Sequence, residues 1–339
     1  MDRCLQEIDG RKLCSPAQFM KDVVVRCAPV VMRGLISAWP AVHTATRSAE
    51  EFQQYLAGFD NGSQADAFVG DPKIAGKYYY AEGLKGFNFE RRRMRLLDAL
   101  RTIVATHDEA GRPTMYLGSL PVEDYLPGFT SYNVLQVLEK HILPRIWLGH
   151  AADVSAHFDA FDNVACVVAG ARRFTLFPPD AIAALYVGPL DNTMAGQPVS
   201  LAASSPLNLE KYPLFAEARA RALSAELGPG DAIYIPKLWW HQVQSTASFN
   251  ALVNYWWDAF ACGPDAPYVG LLLSLITIAE RPATERQAWK AFFDHYVFRS
   301  NGHPLAHLPE EQRGMLGPLM PDNYAKIRAI IMRKLRDGM

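Results

Sequence analysis

Gly228-Pro229-Gly230-Asp231-Ala232-Ile233-Tyr234-Ile235-Pro236-Lys237-Leu238-Trp239-Trp240-His241, taken with the earlier His157-Phe158-Asp159, decides how this chain is read. The first stretch is a turn, a short apolar strand and a proline-started entry into a further strand that carries His241. In the second, residues i and i+2 of a strand point to one face, so His157 and Asp159 can converge. Two imidazoles and one carboxylate form the set that holds Fe(II) on one side and leaves positions open for a cosubstrate and O2. An HxD alone arises by chance, and a lone strand histidine is more often a satisfied structural residue, so the context has to carry the reading.

That context is a run of short apolar strands punctuated by Gly and Pro. Residues 146–148, 164–168, 173–177, 232–235, 241–246 and 251–257 read as strands, divided by Ala169-Gly170, Pro178-Pro179-Asp180 and the 228–231 turn. Many short strands with such punctuation argue for a sandwich or barrel. An insert, 178–227, interrupts them, and its stretch 212–227 could hold a helix. Upstream, residues 29–35 read as a strand turning at Gly34. Residues 48–56 read as a helix with Ser48 as N-cap and Glu51 in capping-box register. Residues 91–104 read as a second helix with Met94, Leu97, Leu100 and Val104 on one face, and 114–117 as a strand. The glycine-containing segment 59–89, with Tyr78-Tyr79-Tyr80, reads as an adaptable loop near a site. Beyond Pro267 the chain is helical: 268–281 strongly apolar, 284–298 and 321–336 amphipathic. The expected organisation is a mixed α/β part over 1–140, a strand-rich core over 141–262 with the insert 178–227, and helices over 263–339 that must pack on the core or on another chain.

Composition removes several function classes. Among 339 residues, 50% are hydrophobic and 20% charged, which excludes a disordered or collagen-like chain. Lys plus Arg is 34 against 35 for Asp plus Glu, so nucleic acid is not the default partner. Cys4, Cys14, Cys27, Cys166 and Cys262 form no CxxC pair; this argues against a disulfide framework or cysteine zinc site and suits a reducing, cytoplasmic setting. The longest apolar run, 268–279, is too short to span a bilayer, and the charged start lacks a signal-peptide core, so no membrane association is expected.

Several pieces fall in a recognisable order: 28–35 followed by Trp39-Pro40; Ile146-Trp147-Leu148-Gly149; His157-Phe158-Asp159 with Asn163; Gly170-Ala171-Arg172-Arg173-Phe174-Thr175-Leu176-Phe177-Pro178-Pro179; the 228–241 stretch; and Val253-Asn254-Tyr255-Trp256. On these, the chain resembles the JmjC and cupin-like iron(II)/2-oxoglutarate oxygenases over roughly residues 28–260, in particular those similar to the asparaginyl hydroxylase of hypoxia sensing. The resemblance implies a mainly β fold with flanking helices: a double-stranded β-helix (jelly-roll) core plus a C-terminal helical segment. It implies His157, Asp159 and His241 as Fe(II) ligands and 2-oxoglutarate as cosubstrate. Tyr116 and Arg172 would meet the distal carboxylate, Asn163 and Asn254 would lie nearby, and Trp256 would line the pocket. Arg172 stands where close relatives carry lysine; its charge and two-bond clamp preserve the chemistry. The family's Thr-Pro ahead of the HxD is replaced by Val154-Ser155-Ala156, with Ser155 as the candidate hydroxyl. The implied activity is hydroxylation of a C–H bond in a protein, peptide or small molecule, with succinate and CO2 as coproducts. The implied assembly is a homodimer through the C-terminal helices. Two rivals remain: a non-catalytic metal and 2-oxoglutarate sensor, and a cupin-type enzyme using another divalent metal without 2-oxoglutarate, against which the Arg172 and Tyr116 pair speaks.

Plainer readings stand beside these. Trp239 reads as a core aromatic, whereas Trp240 is left free to face the substrate cleft. Arg91, Arg92, Arg93 and Arg95 read as a solvated helix face, preferred at this net charge over a patch for an acidic substrate or RNA, and Cys166 as a buried small hydrophobe. His43, His107, His141, His150, His295, His303 and His307 show no ligand spacing.

Overall fold

The computed structural model describes residues 3–191, 193, 196–203, 208–261, 263–318 and 320–337; Cys262 lies outside them. Its strands are β1 (Arg3–Cys4), β2 (Gln6–Asp9), β3 (Val30–Arg33), β4 (Gln64–Gly70), β5 (Lys77–Tyr78), β6 (Phe89–Arg95), β7 (Thr114–Pro121), β8 (Pro144–His157), β9 (Asp162–Ala169), β10 (Arg172–Phe177), β11 (Leu223–Leu227), β12 (Ala232–Ile235) and β13 (Trp240–Trp257). They join in the order β2-β3-β12-β9-β13-β8-β7-β4-β6, with β10, β11 and β1 branching from β13. The chain forms two compact units, Met1–Ala259, which holds every strand, and Phe260–Met339.

Two long strands turn this ladder into a jelly roll. β13 pairs with β10 through its first half, Trp240 to Ser245, and with β9 through its second, Ala251 to Trp257. A register shift between Ser245 and Phe249 marks where it passes from one sheet to the other. Two expected strands, 241–246 and 251–257, are therefore one bent strand, and 146–148 is the start of the 14-residue β8.

The period-two alternation divides the core. Val30, Met32, Val164, Cys166, Val168, Ala232 and Tyr234 face the helices, where Phe19, Phe52, Leu56, Leu100 and Ile103 cover them. The residues between them, Val31, Ala165, Val167, Ile233 and Ile235, face Phe174, Leu176 and Leu227 of β10 and β11. This explains why β9 is buried at all eight positions: both of its faces are covered. Burial also pushes the Cys166 thiol well above its ordinary range. Cys4, Cys14, Cys27 and Cys166 are all unpaired thiols.

Several local expectations change. The helix expected over 91–104 begins only at Leu96, in a Leu96–Thr106 helix, and Arg91, Arg92, Arg93 and Arg95 belong to β6. Helix propensity favours arginine by well under ~1 kcal/mol per residue. Pairing all seven residues of β6 with β4, and packing Met94 on the core beside its partner Ala65, outweighs that. The segment 59–89 is not a loop, since it contains β4 and β5. The helix expected over 212–227 is a short Phe215–Ala220 turn of helix followed by β11. Elsewhere the local chemistry holds: Ser48 caps the Ala49–Ala57 helix by accepting from Glu51 N, and Gly34 takes a positive φ of 70° after β3.

The second unit contains helices Pro267–Ile278, Ala283–Tyr296 and Pro321–Asp337, near the expected ranges. Asp265 N donates to the Tyr324 hydroxyl at 3.0 Å, and that hydroxyl donates to the Asp265 carboxylate. None of the three helices contains a buried residue. Among the described residues, no helix is long and apolar enough to cross a membrane.

His150 of β8 is a satisfied core histidine. Its Nδ1 accepts from Met115 N at 3.0 Å, and its Nε2 lies 3.1 Å from the Ile103 carbonyl, to which it donates. Burial, then the Arg112 charge, push its pKa down to about 4. The folded chain therefore binds fewer protons than the unfolded chain between pH about 6.5 and about 4. His150's contribution to stability is complete above the upper value and is lost as pH falls through that window, at up to about 1.4 kcal/mol per pH unit. A His150→Gln variant, compared with the parent by urea unfolding across pH, is expected to lose His150's share of that slope while the share of the other buried histidine, His241, remains; an unchanged slope would remove His150 as a source.

Candidate metal centre

The pairing of β13 with β8 sets His241 opposite His157, with ring centroids 4.4 Å apart. His157 is the last residue of β8, and Asp159 lies just beyond it, so the carboxylate arrives from the turn rather than from a strand face as expected. Ligand atoms of His157, Asp159 and His241 all lie within 4.8 Å of one another. His241 Nε2 is 3.6 Å from Asp159 Oδ2. Each imidazole is aimed by its other nitrogen: His157 Nδ1 donates to the Ser155 carbonyl at 2.8 Å, and His241 Nδ1 to the Trp239 carbonyl at 3.0 Å. That leaves both Nε2 lone pairs for a cation. Burial, then the neighbouring His157, push the His241 pKa down to about 4, which keeps it neutral as a ligand must be.

The loop between β12 and β13 delivers His241, and it is tied down from both sides. Leu238 N donates to the Asp159 carbonyl at 2.9 Å. Buried Asp162 accepts from the Tyr234 hydroxyl at 2.8 Å and from Ala259 N at 3.1 Å, with the Lys237 ammonium 3.4 Å away. Trp256 Nε1 donates to Asp159 Oδ2 at 3.0 Å, orienting the carboxylate. Trp240, left open to the cleft by sequence, is fully buried and packs edge-on against Phe158 at 5.0 Å. Trp239 is only partly buried, packs on the inner core and donates to the Cys27 carbonyl at 3.3 Å.

A cavity of about 250 Å³ opens from the cluster, lined among others by Tyr116, Ser155, Asn163, Arg172, Asn254 and Trp256. The structure thus brings every sequence-derived candidate to one space. Strand register explains the reach: β10 pairs Leu176 with His241 and Arg172 with Ser245, so Arg172 starts four residues, about 13 Å, from the histidine level. Arg172 is 2% exposed, and its Nε and Nη2 make no hydrogen bond; Ser245 Oγ across from it is also without a partner. A buried cation with unused donors is costly unless an anion meets it. The cavity therefore suits a ligand with a carboxylate at the Arg172 end and metal-binding groups at the other. Asn254 Nδ2 donates to Asn163 Oδ1 at 3.1 Å, and Ser155 donates to the Tyr78 carbonyl at 3.3 Å.

Sequence reasoning missed part of this wall. Trp147 Nε1 donates to Asn254 Oδ1 at 2.7 Å, fixing the amide that faces the cavity. Its signal was an aromatic inside an otherwise aliphatic strand. Phe68, Tyr78 and Phe89 enter from β4, β5 and β6, and Gln197 and Val199 from the insert, where Val199 bridges to His157. A bulge in β7 puts Gly118 and Ser119 at the wall, Ser119 at φ 57° and held by Arg145 Nε at 2.6 Å.

Comparison with known proteins agrees with this geometry. Residues 16–262 match the cupin-like domain family. A lysine-specific demethylase, JMJ31, from Arabidopsis thaliana is 35% identical over 116 residues, 34% of this chain and 21% of that protein. Jumonji C domain-containing protein 5 from Drosophila melanogaster is 38% identical over 34% of this chain and 27% of its own length. The human bifunctional peptidase and (3S)-lysyl hydroxylase JMJD7 is 26% identical over 72% of this chain and 81% of that protein. The chain thus spans about a fifth to a quarter of the first two relatives and most of the third.

Trp256→Phe keeps the ring but removes the hydrogen bond to Asp159. Metal dissociation constants, read by Mn(II) titration, are expected to rise roughly 10- to 100-fold; unchanged affinity would show that the indole does not orient the carboxylate.

Proposed function

Because the chain belongs to the cupin-like JmjC family of 2-oxoglutarate oxygenases, we propose that it is an Fe(II)- and 2-oxoglutarate-dependent hydroxylase acting on a C–H bond, with succinate and CO2 as coproducts. The observation that carries this reading is the cavity with a two-histidine, one-carboxylate cluster at one end and an unpaired, buried Arg172 at the other. His157, Asp159 and His241 would hold the iron, and Arg172 with Tyr116 the distal carboxylate of 2-oxoglutarate. Bound together, iron and 2-oxoglutarate would supply activation of O2, the oxidant, one oxygen atom of which goes to succinate and the other into the C–H bond to give C–OH. The chain's own share is placement. Ser155 and Trp239 carbonyls aim the imidazoles, Trp256 holds Asp159, and the Trp147-Asn254-Asn163 chain stiffens the wall. The aromatic lining excludes water from the reacting carbon. A protein or peptide side chain is the favoured substrate, since the relative aligned over most of both lengths is called a lysyl hydroxylase and peptidase. Intact ligands and an unsatisfied anion site favour this reading over a non-catalytic sensor. The free thiols of Cys4, Cys14, Cys27 and Cys166 suit a cytoplasmic setting.

The second unit supports an assembly. Val269, Leu272 and Ile276 share an exposed stripe of the Pro267–Ile278 helix, and Trp289 and Phe292 are exposed on the next helix. Two copies of the chain would cover these surfaces in a homodimer.

Anaerobic titration with Fe(II) and then 2-oxoglutarate is expected to give the weak visible band of the chelated cosubstrate. Arg172→Ala should retain iron and lose 2-oxoglutarate affinity by roughly 30-fold or more. Iron binding without the band would reject 2-oxoglutarate as cosubstrate, and succinate release by a His157→Ala protein would reject the metal assignment. For the assembly, light scattering is expected to give a dimer mass that Leu272→Asp/Ile276→Asp reduces to the monomer; a monomeric parent would reject it.

A further inference from the structure

The arginine cluster on β6 occupies a place that its sequence did not reveal. Antiparallel partners share a face, so the pairs Gly70–Phe89, Phe68–Arg91, Asp66–Arg93 and Gln64–Arg95 lie on one side of the sheet. That side is the cavity side: Phe68 and Phe89 both line the cavity, and the Arg91 guanidinium sits over the Phe68 ring at 5.4 Å. Arg91, Arg93 and Arg95 therefore form a row with a spacing of about 7 Å, running outward from the cavity wall. Arg92 points to the opposite side and is paired there with Glu90 at 2.9 Å. All four arginines are exposed, and the only carboxylate facing the row from β4 is Asp66. β6 also ends the strand order, so its outer edge pairs with no strand among the described residues.

We propose that this row docks an extended acidic peptide segment of the substrate, with carboxylates at alternate residues meeting Arg91, Arg93 and Arg95. The residue to be oxidised would then pass Phe89 into the cavity. This rests on the hydroxylase reading and names its substrate class. Three observations select a peptide strand. The row repeats at the two-residue period of an extended chain, it lies beside an open strand edge that offers main-chain hydrogen bonds, and its charge is complementary to acid. A nucleic acid would meet the charge but not the edge.

Fluorescence anisotropy on the full chain, without metal or 2-oxoglutarate, tests this apart from the chemistry. The probes are a short labelled peptide with glutamate at alternate positions, its glutamine counterpart, an alternating-lysine peptide and an oligouridine RNA. The glutamate peptide is expected to bind about tenfold more tightly than the glutamine one at ~0.1 M salt, and less so as salt rises. Arg91→Glu/Arg93→Glu/Arg95→Glu should exchange that preference for the lysine peptide, which a misfolded variant would not do. Arg92→Gln on the other side should leave binding unchanged. Equal binding of the glutamate and glutamine peptides, or tighter binding of the RNA, would overturn the proposal. Either result leaves the iron and 2-oxoglutarate titration to stand or fall by itself.

Discussion

The pairing of β8 with β13 is the constraint on which the rest of the structure depends. It sets His157 opposite His241 although the two are far apart in the chain, and it carries β13 from one sheet into the other. A slip of one residue would turn every cavity-facing side chain of β13 to the other face, so the buried alternation on β13 protects the site as well as the core. Asp162 and the Leu238–Asp159 backbone bond fasten the ends of this pairing, and the cluster lies where the fastening is densest.

Around that pairing, the cavity is built to hold charge at its two ends. At one end, two imidazoles aimed by backbone carbonyls and a hydrogen-bonded carboxylate converge. At the other, Arg172 presents unused N–H groups under almost complete burial. Between them the wall is largely aromatic and aliphatic. In such a low-dielectric space an anion reaching both ends gains more than it would in water.

The sequence was most readable where chemistry is local. A Ser48 cap, a Gly34 turn and the 232–235 strand depend on neighbours in the chain, and the structure repeats them. It was least readable where two local preferences were close in energy. Residues 91–95 have helix-compatible side chains, yet their backbone joins β4 because Met94 gains a core contact there. The same change moves Arg91, Arg93 and Arg95 from a solvated helix face to the cavity side of a sheet edge. Trp239 and Trp240 show a second limit: adjacent aromatics in a turn cannot be assigned to core or cleft until the turn's path is known.

By itself, the sequence determined the kind of fold and the identity of the candidate ligands. Strand punctuation and the order of HxD, Gly-Arg-Arg-Phe and Trp-Trp-His admit few architectures. Only the tertiary structure decided what surrounds those ligands: that Trp256 grips Asp159, that Trp147 orders Asn254, that the insert and β4 to β6 close the wall, and that a basic row leads to it. These contacts join residues distant in the chain, and their geometry is set by strand register and packing, which no local pattern of residues encodes.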